Sequence, residues 1–298
     1  LSHAGRQAPD RPGSESAGYH GASPAAIQHH YDVGNEFYAL WLDPTLSYSC
    51  ALWDGEADTL QAAQERKLDY LIRQAHAIGA ATVLDIGSGW GGLLRRLVER
   101  HGVGRAVGLT LSAAQAAHAA AAGTGDRYDV RVENWADHRP ATRYDAIISI
   151  GAFEHFAHHK MPRPARVAAY RRFFDSCHGW LRHGGRLALQ SNVRGNNTRL
   201  DRQTARDMLF IIRRIFPESV IPWPSEILEA SEGLFDVVSV RNDPDHYART
   251  CREWLDGLLA NRDRAAELVG ATMTADYERY LRAAAGAFTG RHLGLMRI

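Results

Sequence analysis

Val83-Leu84-Asp85-Ile86-Gly87-Ser88-Gly89-Trp90-Gly91-Gly92 is the stretch that decides how this chain folds. Val83 to Ile86 reads as a buried parallel strand, and Leu93 to His101 reads as the helix that follows it. A strand, a glycine-rich turn and a helix in that order build a nucleotide-binding crevice. Glycines let a ligand approach the backbone because no Cβ intervenes. The run departs from the dinucleotide fingerprint at Asp85, which stands before the first glycine at the strand's end. A carboxylate there attracts a ligand that carries an amine and a positive charge, and it repels a pyrophosphate. S-Adenosylmethionine meets both demands. Taken alone, the segment also fits an ordinary tight strand–helix turn of an α/β domain.

Outward from this run an α/β rhythm continues. Ala106 to Leu109, Val130 to Val132, Tyr144 to Ile150 and Arg186 to Ser191 read as further strands. Helices are expected at Ser112 to Ala122 and at Ala165 to Leu181, the second closed by His183-Gly184-Gly185. Strands alternating with helices imply a parallel sheet covered on both faces. Phe235 to Arg241 reads as a sixth strand and His292 to Ile298 as a seventh, with helices over Tyr247 to Leu259 and Arg262 to Phe288. The rhythm breaks between Asn192 and Leu228, which reads as a lid insertion (192–228) over the sheet's carboxyl edge. At the other end, residues 1–23 are rich in Gly, Ser, Pro and Ala and read as a flexible tail, with Tyr19 its single large apolar anchor. Residues 24–78 form an aromatic-rich N-terminal cap with a helix at Asp58 to Ala77, capped by Asp58 or Thr59. Residues 24–298 are expected to form one domain.

Composition narrows the function. The 298 residues carry 35 basic and 34 acidic side chains, a net charge of +1, so there is no electrostatic footprint for nucleic acid. No apolar run is long enough to span a membrane, and no signal peptide is visible. Cys50, Cys177 and Cys251 lack metal-ligand spacing and suggest reduced thiols in a cytoplasmic protein. Neither the 15 histidines nor the adjacent pairs His29-His30 and His158-His159 suggest a metal site.

Several blocks, in order, resemble the cyclopropane fatty acid synthase and mycolic acid cyclopropane synthase family. They are His30 to Tyr38, Leu42 to Ala51, Leu84 to Gly92, Gly108 to Ser112 with Gln115, and Ser149 to His155. Ile215-Phe216-Pro217, Pro222 with Pro224 to Ile227, and His246 to Thr250 with Trp254 continue the match, which covers roughly residues 28 to 298. The resemblance implies a seven-stranded Rossmann-like class I methyltransferase sheet with helices on both faces and an inserted helical substrate cap. It implies S-adenosylmethionine as cofactor and methyl transfer to a carbon–carbon double bond. Carried over residue by residue, the cofactor contacts are Tyr48, Ser49, Gly87, Gly89, Thr110, Gln115 and Trp135, joined by Asp85 and Ile150. The second strand ends without an acid for ribose hydroxyls, so Thr110 and Gln115 would supply those hydrogen bonds. Trp135 would cover an adenine face or serve as a core aromatic.

Methylating an alkene leaves a carbocation, so the enzyme must align the alkene, exclude water and remove a proton. Aromatic faces stabilise cations without reacting, and Phe37, Tyr38, Trp41, Tyr48 and Trp53 are candidate walls or, equally, core residues. Tyr31 and Phe37 are the candidate substrate contacts from this block, joined by Gln190, Arg194 and Trp223. The resemblance implies a bicarbonate base held by Cys50, Glu154, Tyr247 and a histidine. The chain departs there: Gln190 stands where that histidine is expected, and glutamine neither titrates nor carries charge. Glu154 would then act as the base itself, with Tyr247 and His155 beside it.

The missing histidine argues against a plain membrane-lipid cyclopropane synthase. So does the lack of room before residue 28 for the lipid-docking domain of the bacterial enzymes. An isoprenoid alkene in specialised metabolism is therefore the first expectation, and an unsaturated fatty acyl chain the second. A terpenoid cyclase triggered by methylation is the third. Arg194, Arg199, Arg202, Arg206, Arg213 and Arg214 would meet an anionic head such as a diphosphate, or form a solvated face. Mg²⁺ enters only with a diphosphate substrate. A homo-oligomer is left open.

Overall fold

The protein's structure is a computed structural model in which residues 33–122, 125 and 127–298 are described. The 1–23 tail and Tyr31 lie outside them. β1 (Thr82–Ile86) runs parallel between β2 (Arg105–Thr110) and β4 (Tyr144–Ile150). Val83, Leu84 and Ile86 are all buried. A central parallel strand is covered on both faces, so its sequence runs apolar instead of alternating. β3 (Tyr128–Val132) extends the parallel ladder beyond β2, and β5 (Leu181–Arg194) extends it beyond β4. β6 (Arg241–Asn242) and β7 (Leu293–Arg297) close the far edge, with β7 antiparallel to both β5 and β6. The order is β3-β2-β1-β4-β5-β7-β6. Strand order reverses between β1 and β4, so the ligand crevice lies above their carboxyl ends.

Helices cover both faces. α1 (Asn35–Ala39) opens the cap, and α2 (Leu60–Gln74) starts at Thr59, whose side chain accepts from the Ala62 N–H. That bond satisfies one of the free amides of the first turn. α2 and α3 (Gly92–Arg100) press Leu68, Leu71, Leu94 and Leu97 onto Val83, Ala106 and Ile148. α4 (Ala113–Ala121) follows β2. α5 (Arg163–Trp180) covers the opposite face, setting Phe173 and Phe174 against Leu84, Ile147 and Leu189.

α6 (Arg202–Phe210) runs on through a π-helical turn, Ile211–Ile215, and α7 (Pro224–Ser231) follows. α8 (Pro244–Ala260), α9 (Arg262–Val269) and α10 (Ala271–Thr289) complete the chain before β7. α1, α8 and α10 share a second core that contains Phe37, Tyr38, Trp41, Trp254 and Tyr277.

Two sequence expectations need correction. Phe235 to Arg241 does not form the sixth strand: the ladder joins only Arg241 to Arg297 and Asn242 to Met296, and Val237, Val238 and Val240 are exposed. An alternating pattern supplies β propensity but not a pairing partner. The helix expected over Arg262 to Phe288 is two helices, because Gly270 at φ +84° turns the chain between α9 and α10.

Candidate active site

A cavity opens at the switch point, walled by the loops after β1, β2, β3 and β4 and by the strap from Thr45 to Ser49. All nine residues expected to hold the cofactor line it: Tyr48, Ser49, Asp85, Gly87, Gly89, Thr110, Gln115, Trp135 and Ile150. Gly87 has φ +87° and Gly89 φ +52°, conformations that side chains rarely adopt. A Cβ on Gly87 would lie 2.6 Å from the Ala152 Cβ, whereas one on Gly89 would meet no protein atom within 4 Å. Gly87 therefore lets the β1 and β4 loops approach each other. Gly89 leaves space for a ligand. On the β2 side, the Thr110 hydroxyl donates to the Gln115 side-chain oxygen at 2.8 Å, which orients both residues at the wall. Glu133 also lines the cavity, after β3. The sequence reading missed it because it sought an acid after β2 only.

Two buried groups of opposite sign line this cavity. Asp85 is buried, and desolvation pushes its carboxyl up to about 7. Lys67 on α2 lines the same cavity, buried, and its Nζ donates to the Ser49 hydroxyl at 2.9 Å. Desolvation lowers its ammonium to about 8. A cavity with a buried acid and a buried ammonium, a second carboxylate at Glu133, an open glycine at Gly89 and an indole fits S-adenosylmethionine: a zwitterionic amino-acid end, a sulfonium and an adenine.

A second cavity, of about 460 Å³, lies beyond the first and shares Tyr48, Gly151 and His155 with it. Its walls are mainly hydrocarbon and aromatic: Met208, Ile211, Ile212, Phe216, Tyr280 and Phe288, with Trp223 and Arg194 also lining it. The Arg194 guanidinium sits over the Trp223 ring, 5.4 Å from its centroid. Glu154 and Tyr247 face this cavity as well. Glu154 follows β4 in a short 3₁₀ turn, and its Oε1 accepts from the Asn192 backbone N–H at 2.6 Å. Its Oε2 is buried and has no hydrogen-bond partner among the described residues. Burial pushes its carboxyl up to about 7, against the opposing effect of the Asn192 N–H. Burial drives His155 down to about 4, which keeps the imidazole neutral at neutral pH, and it drives the Tyr247 phenol up.

The structure does not bring every expected residue to the site. Phe37 is buried in the core of α1, α8 and α10 and packs edge-on against Tyr277 at 4.9 Å. Tyr38 and Trp41 share that core, and Trp53 is held by Thr250 and His246, so of the five aromatics named as walls only Tyr48 lines a cavity. The aromatic walls come instead from the segment 192–228 and from α10. Cys50 and Gln190 line neither cavity. The Gln190 side-chain oxygen accepts from Arg297 Nε at 2.8 Å, and its amide donates to the Cys50 carbonyl at 3.4 Å. Arg297 itself is buried, its Nη1 bound to Asp243 and its Nη2 to the Cys50 and Ala51 carbonyls. Both ends of the glutamine are thus engaged behind the site, and burial raises the Cys50 thiol to about 11. The residues present do not fit a bicarbonate ion held by Cys50 and residue 190.

Comparison with known proteins follows the same lines. Residues 21–298 match the family model described as mycolic acid cyclopropane synthetase. The chain is 36% identical over 279 residues to hydroxymycolate synthase MmaA4 of Mycobacterium tuberculosis, across 90% of this chain and 89% of that protein. Cyclopropane synthase MmaA2 from Mycobacterium tuberculosis superimposes with a TM-score of 0.85 at 30% identity, over 93% of this chain and 97% of that one. Mycolic acid cyclopropane synthase CmaA1, solved with SAH and CTAB, superimposes with a TM-score of 0.82 at 30% identity, over the same shares of the two chains. Among the described residues no helix is long and apolar enough to cross a membrane.

Proposed function

Because the chain belongs to the mycolic acid cyclopropane synthetase family of S-adenosylmethionine-dependent methyltransferases, we propose that it methylates a carbon–carbon double bond of an unsaturated acyl chain. One observation carries this reading: an apolar cavity meets the cofactor cavity at Tyr48, Gly151 and His155, with the unpaired Glu154 carboxylate oxygen beside the junction. The acyl chain is favoured over the isoprenoid first expected from the sequence. The relatives' names speak of mycolic acids, and the cavity walls suit an aliphatic chain.

The bound cofactor supplies an electrophilic methyl group on a sulfonium. Everything else falls to the chain. Tyr48, Gly151 and His155 frame the junction through which the alkene is held in line with that methyl. As the alkene's π electrons formed the new C–C bond, the methyl–sulfur bond would break with its electron pair left on sulfur, and the substrate would be a carbocation. Phe216, Tyr280 and Phe288 present ring surface to it and keep water out. The Glu154 carboxylate then accepts a proton from the substrate, and the released C–H electron pair closes the valence of the cationic carbon. A proton taken from the transferred methyl closes a cyclopropane; one taken from the chain leaves an alkene. A base whose pKa lies near the operating pH is well matched to this step. His155, held neutral by burial, adds no competing charge.

The test is incubation with methyl-labelled cofactor and a panel of unsaturated acyl chains, prenyl diphosphates and prenylated indoles, followed by mass spectrometry. Label in the acyl products at the position of the double bond is expected. Label confined to prenyl compounds would reject the acyl reading.

A further inference from the structure

Lys67 carries charge that the reaction scheme does not use. It lies one turn from Gln64 on α2, in a helix face that buries Gln64 together with Ala63, Leu68, Leu71 and Ile72. Its side chain is 1% exposed. Removing an ammonium from water is costly unless an anion or several acceptors replace the solvent. The ammonium has three N–H donors. One goes to the neutral Ser49 hydroxyl at 2.9 Å, and no ion pair joins Nζ to a carboxylate among the described residues. Asp43 acts on Lys67 from a distance, but its own oxygens are engaged by the Thr45 N–H and hydroxyl and the Ser47 N–H. The lowered ammonium pKa, about 8, agrees with a buried cation whose counter-ion is incomplete.

The lysine is not required to hold the Ser47–Ser49 strap. Gln64 already does so, its amide donating to the Ser47 carbonyl at 3.1 Å and the Ser49 carbonyl at 2.8 Å. Lys67 and Asp85 line one cavity with opposite signs, and each acts on the other electrostatically. The amino-acid end of the cofactor has the matching pattern, one carboxylate and one ammonium. We propose that Lys67, together with the Ser49 hydroxyl it donates to, forms the receptor for the cofactor's carboxylate, while Asp85 serves the amine. The inference rests on the cofactor named above but not on the identity of the acceptor. It also explains why a lysine is buried on this helix face beside Gln64.

The experiment is calorimetric binding of two ligands to the whole chain: S-adenosylhomocysteine and its decarboxylated counterpart, S-adenosyl-3-thiopropylamine, which keeps the amine. The unmodified protein should prefer S-adenosylhomocysteine by about 10- to 100-fold, the range of one charge-assisted contact. In Lys67→Met that preference should collapse to within about 3-fold, because the weaker ligand loses nothing. Equal weakening of both ligands would show that Lys67 only supports the strap, and would overturn the proposal. An undiminished preference in Lys67→Met would overturn it too. Lys67→Gln stands in if the methionine variant does not fold. If neither folds, equal affinity of the unmodified protein for the two ligands is the overturning result. Failure of the unmodified protein to bind either ligand would instead reject the cofactor assignment itself.

Discussion

Arg297 donates from Nε to the side-chain oxygen of Gln190 at 2.8 Å, which binds the last strand to the fifth behind the reaction cavity. Gln190 lines neither cavity, and its oxygen and amide are turned to Arg297 and the Cys50 carbonyl. Turnover is therefore expected to be unchanged in degassed, bicarbonate-free buffer and on adding the salt back. A loss of rate on depletion that bicarbonate restores would show that an anion binds despite this arrangement.

The same guanidinium sets a stability test. Among the described residues Asp243 is the only carboxylate that Arg297 contacts, and Arg297 is 1% exposed. Removing one member of a buried ion pair leaves the other uncompensated, which costs about 3–5 kcal/mol. Asp243→Asn should lower the urea midpoint accordingly. Arg241→Ala removes the outer partner of the same aspartate, a half-exposed arginine, and should cost at most about 1 kcal/mol. Equal costs for the two variants would mean that the buried pair is not the dominant interaction.

How much of this was legible in the sequence depended on whether the signal was local. The cofactor loop reads directly because strand, glycines and acid are consecutive residues, and the structure puts all nine expected cofactor residues on one cavity. Glu154 reads for the same reason, as it follows a strand end. Phe37 did not: helical periodicity and aromatic character do not say which side of α1 faces a cavity and which faces Tyr277, a residue 240 positions away in the chain. The Gln190–Arg297 pair joins strands β5 and β7 across 107 residues, and nothing near either residue announces it. Lys67 carried a usable signal, a lysine at an apolar position of a helix face, but a lysine that reaches solvent along its stem gives the same pattern. Phe235 to Val240 shows the converse, a strand-like pattern whose partner was never in the local sequence.

The two loop glycines should fail in different ways. Gly87→Ala places a Cβ 2.6 Å from Ala152 in a left-handed backbone, so the protein itself is strained. Gly89→Ala meets no protein atom within 4 Å and bears only the backbone cost, about 1 kcal/mol. Thermal melting should therefore show the larger loss for Gly87→Ala. S-Adenosylhomocysteine binding should fall at least about 10-fold for Gly89→Ala with its fold intact, since one misplaced contact of 1.4 kcal/mol already gives that factor. A Gly89→Ala variant that binds normally would remove Gly89 from the cofactor contacts.

Glu154 is the residue on which activity and stability should move in opposite directions. Its Oε1 is fixed by the Asn192 N–H, and its Oε2 is buried beside the acceptor cavity without a partner. Glu154→Gln keeps an oxygen for the Asn192 N–H but removes both charge and basicity. Loss of a general base costs about 10²- to 10⁴-fold in rate, and S-adenosylhomocysteine affinity should hardly change because Glu154 does not line the cofactor cavity. Desolvation raises the folded-state pKa to about 7, above the ordinary carboxyl value. The active, ionised form is therefore lost as the pH falls below 7, and kcat of the parent should decline on that acidic limb. For stability the sign reverses. A raised folded pKa contributes stability that is present below the unfolded pKa and is lost as the pH rises through about 7. Glutamine mimics the neutral form, so Glu154→Gln should match the parent near pH 4.5 and exceed it at pH 8 by on the order of 1–3 kcal/mol. Urea titrations at the two pH values and rate profiles from pH 5.5 to 8.5 measure both effects. A variant that keeps its rate within a few-fold, with the product unchanged, would move the proton-accepting role to Tyr247. One that is less stable than the parent at pH 8 would show that the ionised carboxylate is compensated in the folded protein.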